Sequence, residues 1–141
     1  MKKILFVCVE NAGRSQMAEA FAKQYGKGKI LASSAGLKPP KKVNSVVVEA
    51  MREKGIDISQ NHPKLLTMEM IQDADAVITM GCGVEEVCPA ILVDNVIDWG
   101  LEDPKSQPLE KVREIRDEVE SRVIALIQDL TKSKRQRSHN T

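Results

Sequence analysis

The first fifteen residues constrain this chain more than any other part of it. A short apolar run, Ile4-Leu-Phe-Val7, leads into Cys8-Val9-Glu10-Asn11-Ala12-Gly13-Arg14-Ser15. Apolar residues then recur at Met17, Ala18, Phe21 and Ala22. The first run reads as a buried strand and the spacing of the second as an amphipathic helix, which Gly26 and Gly28 end. A strand, a tight loop and a helix must therefore succeed one another here. In that setting loop amides turn inward as an anion-binding nest, and the helix N-terminus adds partial positive charge. Val9, Glu10, Asn11, Ala12, Gly13, Arg14 and Ser15 are expected to form this oxyanion cup. Arg14 can grip two oxygens with a planar fork, which Lys cannot do. The same field favours a thiolate at Cys8. Ser15 can donate to that thiolate, and Asn11 can hold the loop's shape. The plainer reading of Cys8, taken alone, is a small buried residue at a strand end.

The rest of the chain alternates in the same way. Strands are expected at residues 3–7, 29–35, 75–80 and 92–98. Helices are expected at 15–25, 43–54, 67–72 and 109–130, with Thr67 as an N-cap. In the last helix Val112, Ile115, Val119, Val123, Leu126, Ile127 and Leu130 repeat every three or four residues. This order predicts an α/β fold with a mostly parallel sheet, built from the four expected strands with right-handed crossovers. Residues 1–131 read as one catalytic domain and 132–141 as a flexible basic tail. In open parallel sheets the site lies at the carboxyl ends of the strands. Cys8, the 81–90 loop and the 99–104 loop should meet there.

Charge narrows the partners. Twenty-one basic residues against twenty acidic ones leave a net charge of +1, which argues for neither nucleic acid nor an anionic membrane. No stretch approaches the roughly 20 apolar residues that span a bilayer, and the N-terminus lacks a signal-peptide core. A cytoplasmic monomer is expected. In that compartment thiols stay reduced, so Cys8, Cys82 and Cys88 raise a question of chemistry rather than of stapling. Cys82 and Cys88 read as redox partners, as a metal pair short of ligands, or as incidental residues. Asp103, just before Pro104, reads as an acid or as a turn residue.

The Cys-x5-Arg-Ser block resembles the signature of the low-molecular-weight protein tyrosine phosphatase superfamily. Within it the sequence is most similar to the thioredoxin-coupled arsenate reductases. The likeness rests on CVENAGRSQMAEA from Cys8, on Ser33-Ser-Ala-Gly36, on Gly55-Ile-Asp-Ile-Ser59, and on the stretch from Cys82 through Cys88-Pro89 to Trp99-Gly-Leu-Glu-Asp103-Pro104. It extends to about Leu130. The resemblance implies a three-layer α/β/α fold and a reaction without a cofactor. Arsenate, with phosphate or sulfate as analogues, would bind the cup. Cys8 would attack arsenic while Asp103 protonates the departing oxygen. Cys82 and then Cys88 would carry a disulfide outward to thioredoxin or a similar dithiol. Asn11, Glu19 and Ser34 match three positions of a potassium site found in some relatives. Lys64 stands at the fourth, which implies an ammonium in place of a metal.

Three departures bear on this. Five residues separate Cys82 from Cys88, where six are common in the reductases. Lys105-Ser106 replaces the aromatic pair of the tyrosine phosphatases, which leaves no flat wall for a phenyl ring. Glu10 puts a carboxylate in the anion loop, and it is expected to face solvent. Other readings are a phosphatase using Cys8, Arg14 and Asp103, a non-catalytic oxyanion or redox sensor, and a reductase fed by a low-molecular-weight thiol that leaves Cys88 idle.

Overall fold

The computed structural model describes residues 1–80 and 96–139, apart from the side chains of 96 and 131–139. Cys82 and Cys88, with the expected 81–90 loop, lie outside the described residues. Four strands, β1 (Lys2–Cys8), β2 (Ile30–Gly36), β3 (Ala76–Thr79) and β4 (Val96–Asp98), form one parallel sheet in the order β2-β1-β3-β4. The described helices are α1 (Arg14–Tyr25), α2 (Ser45–Arg52), α3 (Met68–Asp73) and α4 (Leu109–His139).

Both faces of β1 are apolar because both are covered, as a central parallel strand requires. Ile4, Phe6 and Cys8 join Met17, Phe21, Val47, Val112 and Val119 in the larger core, beneath α1, α2 and α4. Leu5 and Val7 alternate to the other face and pack with Ile71 of α3. The expected three-layer α/β/α arrangement is thus present. Element ends differ from the sequence reading by one or two residues at most, except at the end of α4 and at the start of β4, where the expected residues 92–95 lie outside the described residues. Asn44 caps α2 by accepting from the Val46 amide, so that helix starts later than residue 43. Thr67 caps α3 as expected. Helix α4 continues to His139, past Leu130. Among the described residues, no helix is long and apolar enough to cross a membrane.

The strand order positions the site. From β1 the chain passes to β2 on one side and returns to β3 on the other, so the winding reverses beside β1. A crevice opens at such a switch point, outside the carboxyl ends of the strands. Cys8 ends β1, and Met80 follows β3.

Candidate active site

Cys8 is buried, and among the described residues its sulfur has two hydrogen-bond partners. Ser15 Oγ lies 2.9 Å from Sγ, and the Asn11 amide donates to it over 3.2 Å. Asn11 has φ 56°, the left-handed region that Asn tolerates better than most residues. Arg14 opens α1 behind Gly13, so the first-turn amides have no helical carbonyl to bond. Its side chain is held from behind: Nη1 donates to Met80 O at 2.6 Å and to Leu101 O at 3.0 Å. Among the described residues, its buried Nε has no hydrogen-bond partner. A buried donor held in place beside a nucleophile is suited to an acceptor oxygen.

The 99–105 segment forms the opposite wall. Trp99 packs on Phe6 with ring centroids 5.9 Å apart, and buried Leu101 fixes the chain that follows. Asp103 Oδ1 accepts from the Lys105 amide at 3.0 Å, and Oδ2 lies 3.7 Å from Arg14 Nη2. The Asp103 side chain is 51% exposed, open to proton exchange with solvent. Cys8, Glu10, Ala12, Arg14, Asp103 and Lys105 all border one cleft. The cleft is narrow and suits a small ligand. The structure therefore brings Cys8, Arg14 and Asp103 together as the sequence predicted. The arrangement sets a thiol, a guanidinium and a carboxyl group around one cleft. Glu10 stands at the rim, where its carboxylate meets Lys105 Nζ at 3.0 Å instead of facing the anion unpaired.

A model of the low molecular weight phosphotyrosine protein phosphatase family matches residues 3–136. The chain belongs to this family. It is 43% identical over 128 residues to the glutaredoxin arsenate reductase of Synechocystis sp., covering 90% of this chain and 97% of that protein. The thioredoxin-dependent arsenate reductase of Corynebacterium glutamicum superposes with a TM-score of 0.81 at 38% identity, over 94% of this chain and 63% of that one. The YwlE arginine phosphatase of Geobacillus stearothermophilus superposes with a TM-score of 0.86 at 26% identity, over 96% and 97% of the two chains. One family framework thus serves proteins named for two chemistries.

Behind the family's anion loop sits a buried carboxylate, Glu19. It accepts from Ser34 Oγ at 2.6 Å and Lys23 Nζ at 2.7 Å, and Lys64 Nζ lies 3.5 Å away. Burial alone would raise its pKa; the Lys23 and Ser34 hydrogen bonds and the Lys64 charge outweigh burial and lower it. A lowered folded-state value means the stabilisation is present above the ordinary carboxylate range and is lost as pH falls through the lowered value. Glu19→Gln should cost about 1 kcal/mol at pH 7, allowing for the exposed lysine partners. The deficit should shrink as pH falls below the ordinary carboxylate range and through the lowered value. Thermal melts at pH 7 and pH 3 decide this; an equal deficit at both would contradict it. Among the described residues, no cluster of His, Cys, Asp and Glu could hold a metal ion.

Sequence reasoning missed several parts of the site. Asn44 borders the cleft, and its amide donates to Ala12 O at 2.9 Å. Its position before Ser-Val-Val was a readable N-cap signal. The Met80 and Leu101 carbonyls that hold Arg14 leave no mark in a sequence, because any residue supplies a carbonyl.

Proposed function

We propose that this chain is an arsenate reductase, a cytoplasmic monomer regenerated by a dithiol protein such as thioredoxin. The observation that carries this is the Cys8 sulfur held by two partners beside a clamped Arg14, in a chain that also has Cys82 and Cys88. The identities of 43% and 38% to two proteins named arsenate reductases, against 26% to the arginine phosphatase, support it.

Arsenate binds between Arg14 and the loop amides of residues 9–15. The Cys8 thiolate attacks arsenic, and Asp103 protonates the oxygen that leaves as water. Cys82 attacks the Cys8 sulfur, the sulfur–arsenic bonding pair stays on arsenic, and arsenite departs. Two electrons have moved, and a Cys8–Cys82 disulfide remains. Cys88 attacks Cys82, frees Cys8 as a thiolate and leaves a Cys82–Cys88 disulfide for the reductant. Lys64 supplies beside Glu19 the positive charge that a potassium ion gives in some relatives. A Lys64→Asp variant that gains potassium-dependent stability would support that role.

The test is a thiol count after one turnover without reductant. The three thiols should fall to one as one arsenite forms per chain. Three intact thiols and unchanged arsenate, with steady hydrolysis of p-nitrophenyl phosphate, would establish the phosphatase reading, which the same Cys8, Arg14 and Asp103 favour. Thioredoxin and glutaredoxin with glutathione, supplied in parallel, identify the electron source.

A further inference from the structure

Gln16 has no task in this chemistry, yet it is fully buried. Its Nε2 donates to Asn11 Oδ1 at 3.1 Å and to His62 O at 3.3 Å, and its Oε1 accepts from Asn61 Nδ2 at 3.2 Å. Burying a polar amide costs free energy unless its bonds are made, so this placement needs a reason.

The main chain at both ends fixes the direction of these bonds. The His62 carbonyl can only accept, so the nitrogen of Gln16 must face it. The Lys64 amide can only donate, and it meets Asn11 Oδ1 at 2.9 Å. The oxygen of Asn11 therefore points toward Lys64 and Gln16. That leaves Asn11 Nδ2 to donate to Ser15 Oγ at 2.7 Å. The Ser15 hydroxyl, occupied there as an acceptor, has one proton, and its other close partner is Cys8 Sγ at 2.9 Å. With the Asn11 amide, the sulfur then receives two donors, the arrangement that suits a thiolate.

We propose that Gln16 is a positioning residue that holds the Asn11 carboxamide in this orientation, so that Ser15 donates its proton to Cys8 rather than to Asn11. Without Gln16, Asn11 Oδ1 loses one of two donors and its side chain loses a buried neighbour. The carboxamide can then turn, and the Ser15 proton can follow it. The inference rests on Cys8 as the nucleophile of the proposed reaction, but its test needs neither arsenate nor a reductant.

In a Cys82→Ser, Cys88→Ser background Cys8 is the only thiol. Its alkylation by iodoacetamide is followed across a pH series that covers the rising limb of the parent's rate and its alkaline plateau. Gln16→Met should slow alkylation about tenfold at a fixed pH on the rising limb and leave the plateau rate unchanged. Ser15→Ala should do the same, and the Gln16→Met, Ser15→Ala double variant should be no slower than Ser15→Ala, because both act through one bond. The proposal is overturned if Gln16→Met matches its parent on the rising limb, if it slows limb and plateau equally, or if the two effects multiply. If Gln16→Met gives no cooperative melt, Gln16→Asn, too short to reach Asn11 and His62 together, is read in the same way. A Gln16-dependent alkylation profile in that background, together with a wild-type chain that leaves arsenate unchanged and keeps three thiols, would refute the reductase and keep the positioning role.

Discussion

Arg14→Lys will lower arsenate turnover by about 10²–10³ or more, the loss expected when a preorganised donor to developing charge is removed. Arg14 is 2% exposed and divides its guanidinium between two duties. Nη1 is committed to the Met80 and Leu101 carbonyls, which fix the plane of the group. Among the described residues Nε has no partner and is left for the oxyanion of the proposed reaction, with Nη2 near Asp103. A lysine ammonium is a point charge on a flexible stem. It cannot hold two carbonyls behind it and present two parallel donors in front. The charge is kept, so weak phosphate binding should survive while turnover does not, and the effect should fall mainly on kcat. Steady-state kinetics with arsenate, together with phosphate inhibition, measure this split. Turnover within tenfold of wild type would show that charge alone suffices and that the fork is not used.

The parts of the site that were readable from the sequence are those whose residue type does the work. Cys8, Arg14 and Ser15 carry their chemistry in their side chains, and the strand–loop–helix pattern around them fixed their placement. The fold was legible for a related reason. The unbroken apolar run of β1 and the repeat from Val112 to Ile127 record which faces are buried, and the structure buries those faces. What was not legible acts through the main chain or through space. The carbonyls of Met80 and Leu101 clamp Arg14 irrespective of their side chains. Gln16 read as one more polar residue in a helix, because its partners Asn61 and His62 are 45 and 46 residues away. Lys64 was flagged only by resemblance. The structure adds that its ammonium reaches Glu19 and its amide reaches Asn11, so one residue touches both the buried carboxylate and the loop.

Gly36 is the clearest instance of a role written in space, and Gly36→Ala is expected to damage both stability and turnover. Its backbone is not in the left-handed region, so the glycine is not there for conformational freedom. It is there because the anion loop lies on it. A Cβ at residue 36 would sit 2.7 Å from the Asn11 amide nitrogen and the Glu10 carbonyl carbon, and 2.9 Å from Asn11 Cβ. Neither side can yield easily. Gly36 pairs with Cys8 across the sheet, donates to Lys64 O and accepts from the Leu66 amide, each at 2.8 Å for the last two. The loop is anchored by the Asn11 amide on Cys8 Sγ and by Lys38 N on Val9 O. Forcing a methyl group between two fixed backbones should cost about 3 kcal/mol. For a chain of this size that lowers the melting temperature by roughly 10 °C. A loop pushed aside by about 1 Å should also lose about 10² in turnover, because the nucleophile and its donors no longer align. Gly28→Ala separates the two causes of glycine sensitivity. Gly28 has φ 79° with open space where its Cβ would be. That substitution should cost about 1 kcal/mol through backbone strain alone and leave turnover unchanged. Melts and arsenate kinetics on the two variants give the comparison. A Gly36→Ala protein that melts with wild type and keeps its activity would show that the loop has room to move away from β2.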